Sequence, residues 1–211
     1  MAKSTKIPAP TIERLALYSR PLEILQKRGT PLILSDELAE RCGVSPAQVR
    51  KDLAYFGEFG IRGVGYDVKA LFQEIKYILT TDRQWSLCIV GMGNLGKALA
   101  ENENFEKRGY KFVAVFDSDP EKIGVSLACG LTIEPTTKIR ELIQDLGIEI
   151  GIISTPPFEA QRVANLLIDS GIKAILNFAP TRIRTPENFA VENVDFTVKF
   201  ENLVYHLGNL S

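Results

Sequence analysis

Apolar residues at Ile12, Leu15, Leu22 and Leu25 recur at helical spacing after a polar start, and Thr11 ahead of them is a residue type that caps helices. They predict a first helix ending at Gly29-Thr30-Pro31, with a kink or break at Pro21, where proline removes a backbone donor. Ser35 opens a second, short helix that Gly43 closes at a C-cap position. Ser45-Pro46 then supplies an N-cap residue and a proline at the first helical position, with Gln48 three residues past the cap. Helix, short helix, tight turn and helix in that order predict a helix-turn-helix. Another helix follows Asp67 and ends near Thr80.

From Trp85 the pattern changes. Residues 86–91, 111–117, 149–154 and 173–178 form apolar runs without polar alternation, as in parallel strands buried on both faces. Helical stretches begin near Asn94, Thr137 and Pro157, and a last strand lies near 190–194. Strands alternating with helices predict a doubly wound α/β sheet. The boundaries that follow are an N-terminal domain over 1–80, a linker at 81–84, an α/β domain over 85–195 and a terminal helix over 196–211. That helix carries Phe196, Phe200, Leu203, Val204 and Leu207 on one stripe, which must be buried somewhere.

Composition narrows the class. No apolar run approaches the roughly 20 residues of a membrane-spanning helix, and the start lacks the apolar core of a signal peptide. Cys42, Cys88 and Cys129 are far apart and odd in number, so they read as reduced thiols in a cytoplasmic protein, with neither a disulfide framework nor a metal site. Residues 1–80 carry a net charge of +3 and the remainder −4, which permits an anionic partner for the N-terminal part.

The chemistry concentrates in two glycine clusters. Gly91, Gly93 and Gly96 form G-x-G-x-x-G directly after a strand and at the start of a helix, the context a dinucleotide fingerprint needs. Asp117 ends the next strand, placed to accept hydrogen bonds from a ribose 2′-hydroxyl; with no arginine at 118–120, NAD(H) is favoured over NADP(H). Ser154-Thr155-Pro156-Pro157 and Asn177-Phe178-Ala179-Pro180 stand at carboxyl ends of later strands, where ligands bind in open α/β sheets; ordinary turn chemistry accounts for them equally well. The sole histidine, His206, lies in the terminal helix, and no Y-x-x-x-K pair occurs in the second half. Binding without catalysis is the better reading, ahead of an NAD-dependent oxidoreductase or a regulator that binds CoA.

The earlier cluster, Gly60, Gly63 and Gly65 around Arg62, lacks a phosphate loop's preceding strand and suits a tight hairpin. On the helix before it, a wheel turns Val49, Leu53 and Phe56 to the core. Gln48, Lys51, Ala54 and Tyr55 face away, and Arg50 and Asp52 lie on the flanks. Such a face can read a major groove, and a glycine-rich hairpin can carry Arg62 into a minor groove.

"VRKDLAYFGEFGIRGVGYDV", "CIVGMGNLGKAL", "FDSDPEKIG", "ILNFAP" and "VENVDF" together resemble the redox-sensing repressors of the Rex family, in order along nearly the whole chain. The resemblance implies a homodimer of winged helices and Rossmann domains that exchanges its last helix, holds an inverted-repeat operator in double-stranded DNA, and releases it when NADH binds. It implies DNA contacts from Gln48, Arg50, Lys51, Tyr55, Arg62 and Gly63. For NADH or NAD+ it implies Gly91, Met92, Gly93, Asn94, Leu95 and Gly96, then Asp117, Thr155 and Pro156, then Asn177, Phe178 and Ala179. Phe196 would reach the nicotinamide pocket of the other subunit. Arg20 and Asp195 match two members of a switch network whose third member, often tyrosine in the family, is Asn102 here.

Overall fold

The computed structural model describes residues 7–61 and 63–209. The chain divides into two compact units, Met1–Arg83 and Gln84–Ser211. The first holds helices α1 (Ala9–Lys27), α2 (Ser35–Cys42), α3 (Pro46–Leu53) and α4 (Val68–Ile78), with strands β1 (Leu32–Ile33), β2 (Gly60–Ile61) and β3 (Gly65–Asp67). The strands pair antiparallel in the order β1-β3-β2. Leu15, Tyr18 and Leu22 of α1 pack with Leu38 of α2, Val49 and Leu53 of α3, and Leu71 and Ile75 of α4 in one core.

Helix α1 departs from its sequence reading at both marked positions. Its cap is Pro8, and Thr11 sits inside the helix with its side chain buried. Pro21 does not break it, since α1 runs unbroken through that residue. A proline leaves the carbonyl four residues earlier without its helical donor. Here that carbonyl, on Leu17, accepts a hydrogen bond from Cys42 Sγ at 3.8 Å. Elsewhere the local signals hold. Gly43 closes α2 in the left-handed conformation, Ser45 Oγ accepts from the Gln48 backbone amide at 3.1 Å, and Asp67 caps α4 through Ala70 N–H at 2.7 Å.

The second unit holds β4 (Trp85–Val90), α5 (Asn94–Ala100), α6 (Glu103–Glu106), β5 (Tyr110–Asp117), β6 (Ile133–Pro135), α7 (Ile139–Asp145), β7 (Ile150–Ile153), α8 (Pro157–Asp169), β8 (Ala174–Asn177), β9 (Ala190–Asn193) and α9 (Phe196–Gly208). Its strands run β6-β5-β4-β7-β8-β9, every pair parallel. Alternate residues feed two cores: Cys88, Val90, Ala114 and Phe116 on one face, Leu87, Ile89 and Val115 on the other. The unbroken apolar runs follow from that double burial. Strand order reverses between β4 and β7, which makes the crevice beyond their carboxyl ends the natural ligand position. The apolar runs do not mark β6, which is only three residues long, and α6 also goes unread in the sequence.

Candidate nucleic-acid face and dinucleotide site

Helix α3 presents Arg50 and Lys51 to solvent, and Tyr55 is exposed in the turn that follows it, while Val49 and Leu53 are buried. Arg50 Nη1 donates to Ser35 Oγ at 2.8 Å, bracing it against the start of α2. Asp52 overturns its placement on the flank of this face: its side chain has no solvent exposure. Thr11 Oγ1 (3.1 Å), Arg14 Nε (2.6 Å) and Nη2 (2.8 Å), Tyr18 Oη (2.8 Å) and Gln48 Nε2 (2.8 Å) all donate to its two oxygens. Burial pushes the Asp52 pKa up, but these donors outweigh it and hold it at about 2. The pair in turn raises Arg14, while burial and the neighbouring carboxylate raise Tyr18. A wheel assigns an angle to Asp52 but is blind to α1, which supplies Thr11, Arg14 and Tyr18.

The hairpin of β2 and β3 pairs Gly60 with Tyr66 and Ile61 with Gly65. A Cβ on Gly60 would meet the Tyr66 ring at 2.8 Å, and one on Gly65 would meet the Ile33 carbonyl oxygen at 2.5 Å. Packing inside the small sheet therefore accounts for those two glycines. Gly63 differs: it is exposed, has φ of +81°, and a Cβ there meets nothing within 4 Å. Arg62, the wing arginine of the sequence reading, lies outside the described residues.

In the second unit the three fingerprint glycines separate in the same way. A Cβ on Gly96 would fall on the Gly91 carbonyl oxygen, and one on Gly91 would lie 2.8 Å from the Ser154 carbonyl group. Both are required to bring α5 and the β7 end against the loop. Gly93 has an ordinary φ of −77° and nothing within 4 Å of a built Cβ. That open position fits close approach by a ligand phosphate. Met92 is buried, and Asn94 and Leu95 are exposed at the start of α5.

Asp117 ends β5 and binds the loop to the sheet. Its oxygens accept from Met92 N–H at 2.7 Å, Asp119 N–H at 2.9 Å and Lys122 Nζ at 3.2 Å. Burial raises its pKa, but these donors prevail and leave it below the ordinary carboxylate value. Lys122, two residues past the stretch searched for an arginine, is a cation the sequence reading missed; it also meets Asp119 at 3.4 Å. Across the crevice, Thr155 Oγ1 is buried and has no hydrogen-bond partner among the described residues. A buried hydroxyl left without a partner is costly, so a ligand group that bonds to it would remove that cost.

Asn177 is fully buried with its amide spent internally: Nδ2 donates to Thr181 O (2.8 Å) and Asn193 Oδ1 (2.9 Å), and Oδ1 accepts from Ala179 N–H (3.1 Å). Its side chain shapes the turn after β8. Phe178 stacks on Phe196 at 6.3 Å between centroids, while Pro156 is exposed at the start of α8. Helix α9 buries no residue, and Phe196, Val198, Phe200, Leu203, Val204, Tyr205 and Leu207 are all exposed. His206 lies among them, edge-on to Tyr205 at 5.6 Å.

The switch candidates each have local surroundings. Arg20 is exposed on α1 in the first unit. Asn102 caps α6 by accepting from Asn104 N–H at 3.1 Å, and Asp195 caps α9 by accepting from Thr197 N–H at 2.9 Å. Among the described residues no metal-binding group of three or more His, Cys, Asp or Glu occurs, and no helix is long and apolar enough to cross a membrane.

Known proteins match along the whole chain. Residues 6–54 match a family model described as a putative DNA-binding protein N-terminus, and residues 82–181 match one described as a CoA binding domain. A redox-sensing transcriptional repressor, Rex, of Syntrophobacter fumaroxidans is 52% identical over 98% of this chain and 98% of its own. A crystal structure of RSP with β-NAD+ and operator DNA superimposes with TM-score 0.91 at 36% identity, covering 97% of this chain and 94% of that one. The β-NADH complex of RSP gives 0.86 at 34% identity, over 97% and 96%.

Proposed function

The chain belongs to the Rex family of redox-sensing transcriptional repressors, and from that premise we propose how its two units divide the work. It is a repressor and not an enzyme, and the ligands it senses are NADH and NAD+. The first unit is the DNA reader: α3 enters the major groove with Gln48, Arg50 and Lys51, joined by Tyr55 from the turn that follows, and Arg62 with Gly63 follows the minor groove. The second unit is the dinucleotide sensor: the Gly91–Gly96 loop takes the pyrophosphate, Asp117 stands on the ribose side, and Thr155, Pro156 and the backbone of Asn177–Ala179 line the nicotinamide end. The dinucleotide supplies a redox-dependent change of charge and shape at its nicotinamide ring, and the protein supplies binding and coupling.

The observation that carries the sensor half is that the loops after β4 and β7, on either side of the strand-order reversal, hold the open position at Gly93 and the buried Thr155 hydroxyl, which has no partner among the described residues. The exposed apolar face of α9 supports a homodimer in which Phe196–Leu207 is covered by a second copy, and a two-fold dimer reads an inverted repeat. A cytoplasmic location goes with a DNA-bound repressor.

A gel-shift titration tests the whole. NADH is expected to release operator DNA at concentrations where NAD+ does not. Equal effects of the two would sink the sensing reading. By linkage, DNA must weaken NADH binding by the same factor. The CoA binding family model gives the alternative a specific footing, and protection from thermal unfolding decides it: NADH is expected to protect, CoA not.

A further inference from the structure

An amide side chain has two unlike ends, and α3 holds one of them fixed. Gln48 Nε2 lies 2.8 Å from Asp52 Oδ1. Asp52 is buried and ionised, and an ionised carboxylate only accepts hydrogen bonds. Gln48 must therefore turn its nitrogen toward Asp52. Its oxygen then points away and makes no hydrogen bond with any described residue. The anchor cannot swing, because Thr11, Arg14 and Tyr18 of α1 hold the same carboxylate.

Resting on the DNA-reading role of α3, we infer that Asp52 is a positioning residue that fixes Gln48 with its oxygen toward the DNA. Gln48 then recognises a base by an exocyclic amino group, on adenine or cytosine. An untethered glutamine can turn over and offer its nitrogen to the acceptors of guanine or thymine. The tether forbids that turn, so one side chain discriminates between two pairs of bases. The residue that sets the specificity touches no DNA.

The test starts from a duplex selected by the full chain out of a pool of randomised inverted repeats. All four bases are then compared at each half-site position, for wild type and Gln48→Ala. One position is expected where wild type prefers adenine or cytosine about tenfold and Gln48→Ala does not. Replacing that base by purine or pyrimidin-2-one, which lack the amino group, should cost wild type about the same factor and Gln48→Ala nothing. Preference for guanine or thymine at the position, or no position that separates the two proteins, overturns the inference. Asp52→Asn can present either end of its own amide, so discrimination there should fall to about twofold with binding to unrelated DNA unchanged; full discrimination in that variant also overturns it. If Asp52→Asn does not fold, the analogue comparison stands without it. A pool that yields no enriched duplex removes the DNA-reading role itself.

Discussion

Arg14 and Asp52 meet through two hydrogen bonds, Nε to Oδ2 at 2.6 Å and Nη2 to Oδ1 at 2.8 Å, joining the second turn of α1 to the last turn of α3. Removing one partner of a buried pair strands the other, which typically costs about 3–5 kcal/mol. Asp52→Ala is therefore expected to lower the stability of the first unit by about 3 kcal/mol, at the low end because Arg14 is partly exposed. Urea unfolding followed by circular dichroism measures it. A loss below about 1 kcal/mol would mean that the pair behaves as a surface one.

The same carboxylate predicts an acid dependence. Its pKa falls from an ordinary 3.8 to about 2 on folding. A depressed carboxylate stabilises above its unfolded pKa and loses that contribution as pH drops through the folded one. The contribution is worth about 2 kcal/mol, complete above about pH 4 and gone by about pH 2. Stability curves of wild type and Asp52→Asn should converge across that window. Parallel curves would refute the assignment.

Gly93 and Gly96 should fail differently when changed to alanine. Gly93→Ala has room and a relaxed backbone, so it should melt like wild type yet bind NADH about tenfold more weakly. Gly96→Ala drives a methyl onto the Gly91 carbonyl oxygen and should lose about 3 kcal/mol, the upper end for overpacking. Calorimetry on both variants, with and without NADH, separates the effects. Equal melting losses would remove the distinction between packing and binding glycines.

Thr155→Val deletes a buried hydroxyl that has no partner among the described residues. Stability should stay level or rise, by up to about 1 kcal/mol, while NADH affinity falls about three- to tenfold. Fluorescence titration reads the affinity, and wild-type binding would show that the hydroxyl does not face the dinucleotide.

Phe200 and Leu203 lie one turn apart on the exposed face of α9, at 65% and 57% exposure. Placing aspartate at both should convert the proposed dimer to monomer in sedimentation velocity, with each unit still folded. A dimer that survives would locate the interface elsewhere.

The sequence reveals most where a physical requirement is local. Ser45 and Asp67 announce their helix starts, and the Gly91–Gly96 loop announces a strand, a turn and a helix, because each signal acts within a few residues. It reveals least where partners are distant. Asp52 looks like a surface charge until α1 brings Arg14 and Tyr18 to it. Pro21 looks like a break until Cys42, 25 residues from Leu17, takes the carbonyl it releases. Nothing near Asn177 in sequence announces that Asn193, 16 residues on, takes its amide. Lys122 escapes a search limited to the three positions after Asp117, and β6 is too short to show a period.

The ends of the parallel sheet carry a consequence for how this protein associates. Strand β6 has three residues and closes with Pro135, and β9 has four, with Glu192 and Asn193 exposed. Borders this short, one ending in proline and the other carrying exposed polar residues, are poor templates for a further strand from a neighbouring molecule. Backbone zippering between copies, which is hard to undo, is thereby disfavoured against side-chain contacts, such as the exposed face of α9 offers, which can separate and re-form.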